Sequence, residues 1–237
     1  MHPVLFKAGP ITIYSYGVMV ALGFAVAIFL ANRRAGRFGL SGDLVVDLLI
    51  TALVTGIAGA RLFYIILSFQ YYRANPMEIL DLSKGGLVWY GGFFMALASV
   101  ALFIKVKRMG FWNTMDLLAP YIVLAQALGR IGCFLNGCCY GISGIPVQLY
   151  ASLSLFAIFI VLRLWQEVRR FNGEIFLGYC ILYSLKRFGI EFLRGDNPRA
   201  FFGLTISQVI SIAVVLVSAA IFLSKAYKWN AKDTASK

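Results

Sequence analysis

The stretch LLAPYIVLAQALGRIGCFLNG, residues 117–137, decides how this chain is read. Its first eighteen residues, Leu117–Phe134, form an apolar run of the length that crosses a bilayer. A guanidinium, Arg130, interrupts its far end, with Gly129 and Gly132 around it and the amide of Asn136 six residues on. A cation at membrane depth is expensive and usually faces a polar cavity or a partner, so Arg130 is a functional-site candidate from the outset.

The rest of the chain agrees with a membrane setting. Of 237 residues, 60% are hydrophobic and 14% charged, and the mean hydropathy is +0.81. A soluble domain of this length has to keep a wetter surface. The spacing predicts seven spans, at Tyr14–Ala31, Leu44–Phe69, Leu87–Ile104, Leu117–Phe134, Val147–Leu164, Ile175–Phe192 and Leu204–Leu223. The sixth is the least apolar, because Lys186, Arg187 and Glu191 interrupt it. The expected fold is therefore an all-α integral membrane protein of about seven transmembrane helices. No internal repeat or low-complexity linker divides it, so residues 1–237 are expected to form one domain with a short insert near 137–146.

The net charge of +12 does not form a basic patch of the kind that binds nucleic acid. It falls in short clusters between spans. Arg33, Arg34, Arg37, Lys105, Lys107, Arg108, Arg163, Arg169, Arg170, Lys225, Lys228, Lys232 and Lys237 lie on one side; Lys7, Arg73, Lys84, Arg194 and Arg199 lie on the other. This imbalance places the N-terminus outside and the C-terminus in the cytoplasm. The N-terminus has neither the basic region nor the cleavage site of a signal peptide, so the first run is expected to be retained as a span. The segments around Tyr14, Gly85–Gly92, Asn136–Gln148 and Arg194 then lie at the outer leaflet.

Polar groups within the spans need a reason to be there. Tyr183, Arg187, Glu191 and Arg194 are spaced four, four and three residues apart, so they share one helix face. One reading is an internal Arg187–Glu191 ion pair. The other notes that several arginines at one depth exceed what a single glutamate neutralises, which points to an anionic ligand; the planar fork of arginine suits phosphate oxygens. Asp116 is expected to cap the span that it opens. Gly85-Gly86 and Gly91-Gly92 bracket Leu87-Val88-Trp89-Tyr90, where small residues either let helices approach or admit a head group to the backbone. Trp89, Tyr90, Tyr14 and Tyr16 also suit an interfacial aromatic belt. The cysteines Cys133, Cys138, Cys139 and Cys180 match no zinc-ligand pattern, and the sole histidine is His2. Soft packing at a helix end explains them, with metal binding or redox sensing by Cys133, Cys138 and Cys139 as the alternative.

Residues Gly129–Gly137 resemble the signature of bacterial prolipoprotein diacylglyceryl transferases. Further segments resemble that family in the same order: His2–Phe6 with Gly9-Pro10, Tyr16–Met19, Gly59-Ala60-Arg61, Asp116–Pro120, Pro146–Tyr150, Arg187–Arg194 and Ser207–Ser211. The chain departs from the family pattern at Tyr90, where a histidine is common, and at Ile145 and Ala151, where His and Glu are common. The general base is left open by these departures.

The resemblance implies transfer of a diacylglyceryl group from phosphatidylglycerol to the lipobox cysteine thiol of a prolipoprotein signal peptide, with release of glycerol phosphate. It implies a multi-pass protein of the bacterial plasma (inner) membrane, its active site toward the outer leaflet among membrane lipids. Arg130 and Arg187 are expected to clamp the phosphate, Asn136 to donate a hydrogen bond, and Tyr90 to orient or deprotonate the thiol. Tyr16, Arg61, Gly91, Gly92, Gln148, Tyr183, Glu191 and Arg194 would shape the pocket. No cofactor or metal is expected. The alternative is a divergent paralogue that binds anionic lipid or uses another acceptor. A transporter would need polar groups through the full depth or paired broken helices, and an amidase or protease would need a histidine beside its nucleophile.

Overall fold

A computed structural model of the chain describes residues 2–8, 11–80, 85–195, 199–201 and 203–235. Gly9, Pro10, Lys84 and Lys237 lie outside the described residues, as do the side chains of Arg199 and Lys232. The helices are α1 Ser15–Ala35, α2 Gly42–Leu67, α3 Phe69–Ala74, α4 Trp89–Val106, α5 Phe111–Asn136, α6 Val147–Trp165, α7 Glu174–Glu191 and α8 Ile206–Ala235. Strands β1 Val4–Ala8 and β2 Ile11–Tyr14 pair before α1, and β3 Arg199–Phe201 pairs antiparallel with β4 Leu204–Thr205 before α8.

Among the described residues six helices are long and apolar enough to cross a membrane: Ser15–Phe38, Gly42–Leu67, Trp89–Val106, Phe111–Asn136, Val147–Trp165 and Ile206–Ala231. They make this an all-α, multi-pass membrane protein. The remaining long helix, α7, has the length of a span but carries Glu174, Lys186, Arg187 and Glu191. Within a bilayer only structures that satisfy their own backbone survive, which is why apolar runs of this length become helices.

The chain divides into two compact units. The first holds residues 1–7, 13–31 and 112–237. Its core joins Ala119, Val123 and Ala127 of α5 to Leu155, Ile158 and Leu162 of α6 and Ile175 of α7. The four-residue spacing on α5 presents one stripe to its neighbours. Pro120 sits inside α5 and has no N–H to offer the carbonyl of Asp116. The amide of Gln166 donates to that carbonyl instead, at 2.7 Å.

Asp116 does not cap α5, as its place in the sequence suggests. The helix begins five residues earlier at Phe111, and Asp116 is fully buried inside it. Its carboxylate accepts the N–H groups of Gly173 at 2.6 Å and Phe176 at 2.9 Å, and Arg169 lies 3.2 Å away. It therefore caps the start of α7, satisfying donors that no turn of that helix can reach.

The second unit holds residues 8–12 and 32–111, built on α2 against α4. The crossing depends on glycines. A Cβ on Gly91 would lie 2.5 Å from the Cβ of Phe63 and 2.6 Å from the carbonyl oxygen of Gly59. One on Gly92 would lie 2.8 Å from the carbonyl oxygen of Gly56. The hydroxyls of Thr55 and Ser99 pair across the same interface at 2.7 Å. Small residues thus let the backbones meet, as in other membrane helix pairs. Gly91→Ala must push α4 off α2, at about 1–3 kcal/mol for overpacking. A fall in thermal midpoint of the detergent-solubilised protein checks this. Gly17→Ala, with open space around its new methyl group, is the control and should leave the midpoint unchanged.

Candidate active site

In the first unit, the cations that the sequence singles out come together around the ends of α5 and α7. Glu191, the last residue of α7, is buried at 3% exposure. One carboxylate oxygen lies 3.2 Å from Arg187 Nη2 and 4.0 Å from Arg194 Nε. The other accepts the Thr205 hydroxyl at 2.8 Å. Arg187 Nη2 also donates to Ser207 Oγ at 2.9 Å. The Arg187–Glu191 ion pair that helical spacing permits is therefore formed, and it fastens α7 to the start of α8.

Thr205 and Gln208 explain why α8 starts where it does. The Gln208 side chain accepts the Thr205 N–H at 3.0 Å, and the Thr205 hydroxyl accepts the Gln208 N–H at 3.3 Å. This is the reciprocal capping box of a Thr-x-x-Gln sequence. Thr205 was not singled out in the sequence, although that spacing makes it legible.

Arg130 lies near the end of α5, half-buried, in electrostatic range of Tyr16, Cys133, Cys139, Lys186 and Arg187. Among the described residues it has neither a hydrogen-bond nor an ion-pair partner. Tyr16 meets α5 where Gly132 leaves room, since a Cβ there would lie 3.3 Å from the Tyr16 Cα. Lys186 joins the group, its ammonium 5.4 Å from the Tyr183 ring centre, and it too lies in range of Arg187 and Arg194. Arg130, Lys186, Arg187 and Arg194 thus cluster, and Glu191 is the carboxylate that pairs with them among the described residues. Such an arrangement has a positive potential that favours an anion.

The segment after α5 completes this face. Asn136 ends α5, exposed, its side chain without a hydrogen-bond partner among the described residues. Gly137 adopts φ +75°, which ends the helix and turns the chain. The Gln148 amide, itself buried at 2% exposure, donates to the Cys138 carbonyl at 2.7 Å, while its own oxygen has no partner among the described residues. Gly141 forms a β-bridge to Arg194, and the Ile142 N–H donates to the Leu193 carbonyl at 3.0 Å. Residues 137–146 are therefore held against the end of α7. In this segment the Cys139 thiol is held below the ordinary thiol range by its hydrogen bond with Cys133, helped by Cys138 and by the charges of Arg194 and Arg130.

Arg61, Tyr90, Gly91 and Gly92 belong to the second unit. Arg61 is buried and donates to the carbonyls of Glu78 at 2.7 Å, Ile79 at 2.9 Å, Gly85 at 2.9 Å and Gly86 at 3.2 Å. Its guanidinium also rests over Tyr72, 5.2 Å from the ring centre. These bonds make it the post that holds the segment before α4. Gly86, at φ +80°, faces Arg61 so closely that a Cβ would lie 2.7 Å from Nη1. Tyr90 is exposed, its ring edge-on to Trp89 at 5.2 Å.

Comparison with known proteins matches residues 3–224 to the family model described as prolipoprotein diacylglyceryl transferase. The phosphatidylglycerol–prolipoprotein diacylglyceryl transferase of Bacillus licheniformis is 35% identical over 253 residues, covering 96% of this chain and 94% of that protein. The enzyme of the same name from Bacillus velezensis is 32% identical, covering 96% and 93%. That from Bacillus cytotoxicus is 35% identical, covering 91% and 88%. With nearly every span, the arginine cluster and the Gly129–Gly137 signature inside the matched region, this chain belongs to the prolipoprotein diacylglyceryl transferase family.

Proposed function

We propose that the chain transfers the diacylglyceryl group of phosphatidylglycerol to the lipobox cysteine thiol of a prolipoprotein signal peptide, releasing glycerol phosphate. The observation that carries this reading is Arg130. It is a half-buried guanidinium with no hydrogen-bond or ion-pair partner among the described residues, set among Lys186, Arg187 and Arg194. A phosphodiester supplies the missing counter-charge. The names of the relatives, at 32–35% identity over almost the full length, supply the reaction.

In this reading α7 also crosses the membrane, as the sixth of seven spans in chain order, and the excess of basic residues on one side orients the chain with its N-terminus outside and C-terminus in the cytoplasm. The site then opens to the outer leaflet of a bacterial inner membrane. The thiolate sulfur attacks the glyceryl carbon that bears the phosphate. The C–S bond forms as the C–O bond breaks, and the electron pair leaves on the phosphate oxygen. Arg130 and the free N–H groups of Arg187 hold the phosphate, and Asn136 donates to it. Each donor aimed at the developing charge contributes on the order of 3–4 kcal/mol. Tyr16, Gln148, Tyr183, Glu191 and Arg194 set the walls and the counter-charges. A thiol with an ordinary pKa near 8.5 yields enough thiolate beside such cations that a strong base is dispensable. Tyr90 is tested on its own: Tyr90→Phe with undiminished transfer removes it from the reaction.

The deciding experiment incubates the purified protein with phosphatidylglycerol and a lipobox peptide, followed by mass spectrometry. A diacylglyceryl mass gain on the peptide, absent when its cysteine is replaced by serine, is the expected result. A peptide of unchanged mass overturns the proposal.

A further inference from the structure

Three of the four cysteines converge. The sulfur atoms of Cys133, Cys138 and Cys139 all lie within 4.8 Å of one another, half-buried and as free thiols. The linear spacing, Cys-x4-Cys-Cys, resembles no zinc motif because the convergence is made by the backbone. Cys133 occupies the last turn of α5. Gly137 ends the helix, and the Cys138 N–H returns to the Cys133 carbonyl at 3.2 Å. Cys139 sits at φ +60°, a left-handed conformation that few side-chain-bearing residues adopt. The loop is held by the Gln148 amide on one flank and by the bridge from Gly141 to Arg194 on the other. The sulfurs are thus placed by secondary structure rather than by a flexible tail.

Chemistry narrows what these thiols suit. Zinc–sulfur bonds of about 2.3 Å in a tetrahedral site put neighbouring sulfurs about 3.8 Å apart. Sulfurs within 4.8 Å reach that spacing by shifts of about an ångström or less. A disulfide would use two of the three and leave the third without a purpose. Three thiolates around a divalent ion carry one net negative charge, and Arg130 and Arg194 lie in range to offset it. We propose that Cys133, Cys138 and Cys139 form a three-thiolate site for a thiophilic d10 cation, with Zn²⁺ as its reference occupant. The fourth coordination position is left to water, an anion or another thiolate, the pattern of an open rather than a closed zinc site. This revises the expectation of no metal drawn from spacing alone. It does not depend on the transfer reaction.

The test uses the full-length protein in detergent, fully reduced and stripped with a chelator. Titration with Co²⁺ should develop an intense near-ultraviolet thiolate-to-cobalt band that saturates at one equivalent. Zn²⁺ should bleach that band, and elemental analysis should then find one zinc per chain. Cys133→Ser, Cys138→Ser and Cys139→Ser should each weaken uptake by at least about tenfold, whereas Cys180→Ser should not. If Cys133→Ser fails to fold, the two loop variants carry the comparison. No thiolate band in protein with four titratable thiols overturns the site, and so does uptake indifferent to Cys138→Ser and Cys139→Ser. The readout is metal bound, not lipid transferred, so failure here leaves the proposed reaction standing, and the reverse holds.

Discussion

Arg130→Ala is expected to lower diacylglyceryl transfer by about two to three orders of magnitude while leaving the protein folded. The size follows from what one preorganised donor contributes to a developing oxyanion. The selectivity follows from the surroundings of this side chain. Among the described residues Arg130 has no hydrogen bond or ion pair to lose, so its removal breaks nothing in the fold. It also relieves repulsion on Lys186 and Arg187, within range on α7. Thermal stability in detergent should therefore hold or rise slightly as the rate collapses. Arg130→Lys separates charge from shape, because an ammonium keeps the charge and loses the planar fork. Its rate should fall between the two. Initial rates against phosphatidylglycerol concentration, measured beside melting curves, decide the matter. Arg130→Ala with normal transfer would end the assignment; a parallel collapse of the melting midpoint would make Arg130 a structural residue instead.

Six of the seven expected spans were legible because an apolar run must hydrogen-bond itself once water is gone. Their order matches the helices, and most boundaries move by a few residues. The larger departures have identifiable causes. Helix α5 begins at Phe111 because Asp116, which reads as a helix entrance, has partners elsewhere: Arg169 bonds it together with Asn113, and it caps α7. Helix α8 runs on to Ala235, beyond the last strongly apolar residue, since Lys and Ala are good helix formers with or without a membrane. The face of α7 was readable from four, four and three spacing alone. The use of Arg61 was not, because its acceptors are backbone carbonyls of Glu78, Ile79, Gly85 and Gly86, which no side-chain pattern betrays. The thiol cluster was legible only as the alternative to soft packing, because a glycine turn and a left-handed cysteine set its geometry.

Glu191→Gln should destabilise the protein and at the same time strengthen its response to anionic lipid. The substitution keeps the shape of the side chain and the bond from the Thr205 hydroxyl to its oxygen. It removes the charge that faces Arg187 at 3.2 Å and Arg194 at 4.0 Å. Breaking a buried pair by removing one partner costs about 3–5 kcal/mol, because a buried charge is left without compensation. Arg187 and Arg194 keep 18% and 10% of their side chains exposed, so a loss of about 2–3 kcal/mol is the expectation here. Arg187 then loses its carboxylate partner, a counter-charge that a phosphodiester can supply. Phosphatidylglycerol in mixed micelles should raise the melting midpoint of Glu191→Gln by more than it raises that of the wild type, by mass action on a tighter site. A neutral lipid of the same chain length should give no such difference. Arg187→Gln in the same background should recover part of the lost stability and remove the extra lipid response, since the uncompensated charge is gone. If Glu191→Gln melts like the wild type, the carboxylate is not the counter-charge of this cluster. If it melts lower and phosphatidylglycerol restores nothing beyond the wild-type shift, the pair fastens α7 to α8 but Arg187 does not face the lipid phosphate.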